Sequence, residues 1–171
     1  MTHREVEEDN SMNLRVGIGY DVHRLAPGYE LWLGGIKVEH SLGSVGHSDG
    51  DVLIHAICDA LLGAAALRDI GYHFPDNDPT LKGIDSKILL KKTLEIISSA
   101  GYSIVNIDST ICLQKPKLMN LIPLMQEKLE EVLDLAKGSI SVKATTTEKL
   151  GFVGREEGVS AYATVLLSKN G

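Results

Sequence analysis

Runs of lysine and arginine are missing from this sequence, and acidic residues outnumber basic ones, leaving a formal net charge of −6. That balance argues against a nucleic-acid surface. An acidic protein still holds phosphates locally, through backbone N–H groups, metal ions and a few placed cations. Cysteine is scarce as well. Cys58 and Cys112 both fall inside apolar patterns and lack the spacing of a zinc-binding pair, so they read as buried free thiols in a reducing compartment. No apolar run is long enough to cross a bilayer, and no signal-peptide pattern opens the chain, which together predict a cytoplasmic protein. Internal repeats, low-complexity tracts and a convincing nucleophile triad are absent too. What is present is a globular composition: 171 residues, 43% apolar and 23% charged, enough to bury one core.

Residues 1–13 are polar and acidic with nothing to bury, and predict a mobile tail; residues 14–171 predict one domain. From Leu14 the pattern alternates, with Leu14, Val16 and Ile18 on one side and Gly17 and Gly19 between them. This reads as a strand whose glycines admit a close neighbour, either backbone or ligand. It delivers Asp21 and His23 onto one face. Leu31 to Val38 reads as a hairpin turning at Gly34-Gly35, and a helix follows from about Asp51 to Leu67 with Asp49 as its N-cap. A second helix, Ser86 to Ala100, carries Ile88, Leu89, Thr93, Ile96 and Ile97 at helical spacing. The Tyr102–Leu113 strand sets Val105, Ile107, Ser109 and Ile111 against a polar face of Asn106, Asp108 and Thr110. A helix from about Leu121 shows Met125, Leu129, Val132 and Ala136 on one stripe. Strands at Ile140–Ala144 and Val159–Val165 complete the order. The expectation is an α/β (α+β) single domain: a mixed four-stranded sheet with helices on one face, plus a small hairpin.

The stretch from Gly46 to Pro79 concentrates the chemistry. His55 and Asp59 are four residues apart and share one helix face. Asp21, His23 and His55 form a plausible metal triad, since two imidazoles and one carboxylate suit Zn²⁺ and leave a fourth position for substrate. Asp59 stands where it would accept the other ring N–H of His55, but reads equally as an exposed helix-face acid. The loop Gly46-His47-Ser48-Asp49-Gly50 is equipped to hold a phosphate at a helix start, or is simply a capped turn. Asp69, Asp76 and Asp78 suit sugar-like hydroxyls or solvent. Thr145-Thr146-Thr147-Glu148 suits phosphate with Mg²⁺ on Glu148, or is ordinary strand material.

Taken together, these stretches resemble the 2-C-methyl-D-erythritol 2,4-cyclodiphosphate synthases of the non-mevalonate isoprenoid pathway. The motifs are GIGYDVHRL at Gly17–Leu25, GHSDGDVLIHAICDALLGAAALRDIG at Gly46–Gly71, FPDNDP at Phe74–Pro79, QKPKL at Gln114–Leu118 and VKATTTEKLGFVGR at Val142–Arg155. The resemblance implies cyclisation of 4-diphosphocytidyl-2-C-methyl-D-erythritol 2-phosphate, with its 2-phosphate attacking the β-phosphorus and CMP leaving. It implies zinc on Asp21, His23 and His55, and Mg²⁺ or Mn²⁺ on Glu148. It implies His47 and Thr146 in transition-state stabilisation, and Ser48 at the erythritol phosphate. Asp69, Ile70, Gly71, Phe74, Pro75, Asp76, Asn77 and Asp78 correspond to the erythritol pocket. Leu113, Gln114, Lys115, Pro116, Lys117, Leu118 and Met119 correspond to the cytidine loop, and Thr145, Thr147, Phe152 and Arg155 to the diphosphate wall. It also implies a homotrimer whose sheets face the three-fold axis, with active sites between subunits. Two other readings compete: a zinc hydrolase using Asp59 or Asp69 as base, and a metal- and nucleotide-binding trimer without turnover.

Overall fold

A computed structural model describes residues 13–170; the tail expected over 1–13 lies, Asn13 apart, outside the described residues. The chain runs β1 (Leu14–Ala26), β2 (Leu31–Leu33), β3 (Ile36–Val38), β4 (Gly43–Val45), α1 (Val52–Ala64) and α2 (Ile70–His73). After a 3-10 turn at Pro79–Leu81 come α3 (Ser86–Ser99), β5 (Tyr102–Cys112), α4 (Ile122–Leu133), β6 (Ile140–Thr145), α5 (Gly151–Gly154) and β7 (Gly158–Lys169). The main sheet has five strands in the order β4-β1-β7-β5-β6, where four were expected, and β2 and β3 form the separate hairpin. The extra strand, β4, is three residues long and pairs only with Arg24–Ala26. Gly-Ser-Val has too short a span to show a period of two. The β5–β6 pair is parallel and the others antiparallel, so the sheet is mixed as expected.

One sheet face carries the core. Ile107, Ile111, Ile140, Val142, Val159, Ala161, Ala163, Val165 and Leu167 are buried against α1, α3 and α4. Burying Leu and Ile side chains on this scale dominates the stability of such a domain. Among the described residues the opposite face is bare of helices: Leu14, Val16, Ile18, Tyr20 and Val22 are 44–72% exposed, and Tyr162 packs against Tyr20 with tilted rings whose centroids are 4.8 Å apart. From Leu14 to Val22 the strand's large apolar residues therefore point away from the core and its glycines point into it, and Leu25 rejoins the core at its far end.

Several local expectations are corrected. Asp51, not Asp49, caps α1, accepting the Ile54 N–H, and the helix ends at Ala64 because Ala66 turns left-handed with φ 59°. Val105 is exposed because the β5–β7 register shifts between Ile104 and Asn106, which turns it out of the alternating series. Ile88 is 45% exposed, and the buried stripe of α3 is Ser86, Leu89, Leu90, Thr93 and Ile97. Helix α4 stops at Leu133, before Ala136, where Asp134 adopts φ 52°. Cys58 is buried, which pushes its thiol up to about 12, but Cys112 is only half-buried. No helix among the described residues is long and apolar enough to cross a membrane.

Candidate active site

Asp21 and His23 lie near the end of β1, on the face that meets α1. Gly17 and Gly19 share that face and set how closely helix and strand approach. A Cβ on Gly19 would lie 1.9 Å from the Ala56 carbonyl oxygen, and one on Gly17 2.0 Å from that of Ala60. Backbone therefore rests on backbone, which answers the question left open by the strand's glycines. His55, in the first turn of α1, is carried by this contact to the strand end. Its Nδ1 lies 3.0 Å from Asp21 Oδ2 and 3.0 Å from His23 Nε2, and those two atoms are also 3.0 Å apart.

Burial alone would raise the Asp21 carboxyl, but hydrogen bonds and charge from His23 and His55 outweigh it and hold the group well below the usual carboxylate range. Burial would likewise lower His55, and Asp21 reverses that too. Three electron-rich atoms thus converge on one point, and a single proton bridges only a pair of them. A divalent cation would engage all three. A tetrahedral zinc shell with bonds of about 2.0–2.1 Å has ligand–ligand edges of about 3.3 Å, near the spacing found here. The donor set therefore fits zinc, and among the described residues this is the one His/Cys/Asp/Glu group so arranged.

Around the cluster the loop before α1 is tightly bonded. The fully buried Asp51 carboxylate accepts from the Gly34, Gly35 and Ile54 N–H groups at 3.0, 2.7 and 3.1 Å, pinning the β2–β3 hairpin to the helix. Burial pushes its pKa up, against those bonds. Asp49 turns away from α1 to accept from the Ser86 N–H and hydroxyl. His55 Nε2 lies 3.0 Å from Ser86 Oγ and 3.1 Å from Ser48 Oγ. Ser86 carries no sequence signal beyond that of a residue opening a helix. Asp59 does not serve the His55 ring: it accepts the Ile70 N–H at 2.7 Å and so positions the start of α2. Burial raises the Asp59 carboxyl, opposed by that bond.

A cavity of about 370 Å³ opens beside the cluster, lined by Asp21, His23, His47, Ser48, His55, Asp59, Ile70, Gly71, Phe74 and Asp76. Leu81, Ile84 and Leu89 complete its wall, and sequence reasoning did not single them out for it. The other loop acids are engaged locally. Asp69 caps α2 through the Tyr72 N–H, and Asp78 accepts from the Thr80 N–H and hydroxyl. Pro75 and Asn77 share the loop of Asp76 but are not among the residues lining the cavity.

The remaining candidates gather elsewhere. Leu113, Pro116, Lys117, Leu118, Met119, Thr145 and Thr146 line a second cavity of about 710 Å³. Gln114 Oε1 accepts the Lys149 N–H at 3.2 Å, tying this loop to the threonine turn. Thr146 Oγ1 donates to Glu148 Oε1 at 3.3 Å, Thr147 donates to the Leu150 carbonyl, and Glu148 itself is left-handed at φ 52°. Lys115 pairs with Glu156, Arg155 pairs with Glu157, and Phe152 packs beside Gly158. Both cavities lie at the same end of the sheet, yet β1 and β6 are three strand spacings apart, roughly 14 Å.

The comparisons with known proteins agree with one another. The YgbB family model matches residues 14–168. The 2-C-methyl-D-erythritol 2,4-cyclodiphosphate synthase of Bacteroides thetaiotaomicron is 64% identical over 159 residues, 93% of this chain and 100% of that protein. The bifunctional IspDF of Campylobacter jejuni superposes with a TM-score of 0.90 at 42% identity, over 93% of this chain and 43% of that one. The CDP complex of IspF from Plasmodium falciparum gives a TM-score of 0.80 at 34% identity, over 92% of this chain and 97% of that one. With its fold and nearly its whole length matched by these proteins, the chain belongs to the YgbB family, alongside proteins named 2-C-methyl-D-erythritol 2,4-cyclodiphosphate synthase.

Proposed function

We propose that this chain is a cytoplasmic enzyme of isoprenoid precursor synthesis. It cyclises 4-diphosphocytidyl-2-C-methyl-D-erythritol 2-phosphate to 2-C-methyl-D-erythritol 2,4-cyclodiphosphate and releases CMP, a phosphorus–oxygen lyase reaction. The observation that carries the reading is the Asp21, His23 and His55 cluster in the wall of a cavity that also presents His47, Ser48 and Asp76. Support comes from two imidazoles and a carboxylate grouped as a cation would need, with a further imidazole, a hydroxyl and a carboxylate around the same small space, in a chain 64% identical to a protein named for this product.

The chemistry requires little from side-chain acids or bases. An oxygen of the 2-phosphate forms a bond to the β-phosphorus, the bond from that phosphorus to the CMP oxygen breaks, and CMP departs as the anion. Nucleophile and leaving group belong to one molecule, so folding the substrate for in-line attack and balancing its charge supply most of the acceleration. Zinc at Asp21, His23 and His55, with Mg²⁺ or Mn²⁺ at Glu148, would neutralise phosphate charge and fix orientation. His47 and Ser48 hold the erythritol phosphate, while Asp76, with the Ile70–Gly71 backbone, holds the polyol. Leu113 to Met119 enclose cytidine, and Thr145 to Glu148, with Phe152 and Arg155, receive the diphosphate.

The candidate metal residues line one cavity and the candidate cytidine-loop residues another, and a second copy of the chain would bring the two kinds together. The exposed apolar face of Leu14, Val16, Ile18, Tyr20 and Val22 is too continuous for a solvated surface. Asn106, Asp108 and Thr110 share the helix-free face of the sheet. We take the working unit as a homotrimer with this face toward its axis, joining the metal side of one subunit to the nucleotide loop of the next. Phosphorus NMR of a reaction with authentic substrate tests the assignment. A cyclic diphosphate plus CMP is expected. An open-chain phosphate would indicate a hydrolase, and no turnover a binding protein.

A further inference from the structure

We propose that Ser86 and Asp49 form a hydrogen-bonded relay that fixes the tautomer and ring orientation of His55, which makes them positioning residues for the metal cluster. This rests on the metal reading of Asp21, His23 and His55 given above. His55 presents Nδ1 to Asp21 and His23, so its outer nitrogen, Nε2, faces the other way, 3.0 Å from Ser86 Oγ. The direction of each bond follows from the available protons. The Asp49 carboxylate only accepts: Oδ1 takes the Ser86 hydroxyl at 2.5 Å and the Asp51 N–H at 3.2 Å, and Oδ2 takes the Ser86 N–H at 3.0 Å. A serine hydroxyl has one proton, and Ser86 gives it to Asp49. Ser86 Oγ then offers only lone pairs to His55, so the imidazole proton belongs on Nε2. Nδ1 is left with its lone pair directed into the cluster, as a metal ligand requires.

The relay is built into the fold. Ser86 is fully buried at the first turn of α3, and Asp49 N–H donates to the Ile84 carbonyl at 3.1 Å. Gly83 N–H donates to the His47 carbonyl at 2.7 Å, so the segments leading into α1 and α3 are locked together. Ser48 is placed differently. Its Oγ accepts the Gly50 N–H at 3.1 Å, lies 3.4 Å from Ser86 Oγ and stands 3.1 Å from His55 Nε2, where it offers the ring proton a second oxygen. Asp59, on the same helix face as His55, is turned to the Ile70 N–H. The outer nitrogen of His55 is thus served from α3 through Ser86, and from the loop before α1 through Ser48, rather than from its own helix.

The test measures zinc affinity of the full chain by chelator competition and records the visible spectrum of the cobalt-substituted protein. Ser86→Ala and Asp49→Asn should each weaken zinc binding about 10- to 100-fold and shift the cobalt bands. The double variant should be little worse than the poorer single one, because the two residues act in series. Asp85→Ala is the structural control: it removes the acceptor of the Lys87 N–H at the start of the same helix without touching the relay. It should lower the melting temperature and leave zinc affinity within about twofold. Wild-type affinity and spectra in both relay variants would overturn the proposal, as would an equal loss in Asp85→Ala. If Ser86→Ala does not fold, Asp49→Asn, nearly isosteric, decides the matter alone. A wild-type chain that takes up no zinc removes the metal reading and the relay with it. A chain that loses zinc in His55→Ala but keeps it in the relay variants sinks the relay alone.

Discussion

At the Asp21–His55 end, side chains from β1, α1, the loop before α1 and the start of α3 hydrogen-bond to one another within one chain. At the Thr145–Arg155 end the bonds are exposed and fewer: Thr146 reaches Glu148, Arg155 reaches Glu157, each two residues away, and the Lys149 N–H reaches Gln114 across the neighbouring loop. Met119 is 81% exposed and Leu150 72%. The first region is preorganised by the fold of a single chain, whereas the second leaves polar and apolar groups exposed. On the proposed trimer, a site divided in this way would hold metal without its substrate but become catalytic only on assembly, which is why the division bears on function.

The comparison is broken most severely at the cluster itself. His55→Ala removes one of three convergent donors, and the expected outcome is loss of bound zinc and a fall in turnover of at least about 10³-fold, with the fold retained. Metal analysis and circular dichroism check this; full zinc occupancy in the variant would contradict the triad. At the other end, Glu148→Gln should slow cyclisation about 10²-fold while CDP binding by calorimetry changes little, because the exposed carboxylate is engaged only locally. Excess Mg²⁺ should not restore it.

A third change separates scaffold from site. Gly19→Ala forces a methyl into the Ala56 carbonyl, where the gap is 1.9 Å, so β1 and α1 must part. Destabilisation of about 1–3 kcal/mol is expected. Zinc affinity should fall with it, since the donors come one set from each element. Thermal melting of the zinc-free protein against a zinc titration distinguishes this from Glu148→Gln, which should leave both unchanged.

Much of the preorganised end was legible from sequence. The period of two puts Asp21 and His23 on one face, and the same period puts Gly17 and Gly19 beneath a helix rich in alanine. Which aspartate caps α1 was not legible, because Asp49 and Asp51 both precede the helix and only tertiary contacts send one to Ser86 and the other to Gly34 and Gly35. Ser86 was invisible for the same reason: a serine opening a helix gives no sign that its hydroxyl serves a histidine from another element. The short β4 and the bulge at Val105 escape because three residues carry no period and a bulge breaks one. At the exposed end only the motif resemblance named the residues, because an exposed loop carries neither a hydrophobic period nor a buried partner from which a role can be read.

The most direct test of the divided site mixes two inactive variants, His55→Ala with an intact nucleotide side and Glu148→Gln with an intact metal side. In a closed three-membered ring, every mixed assembly contains one junction at which both sides are intact. A random equal mixture should therefore recover about a quarter of wild-type activity. Verified mixed trimers that stay inactive, or full activity in a monomer, would contradict the account.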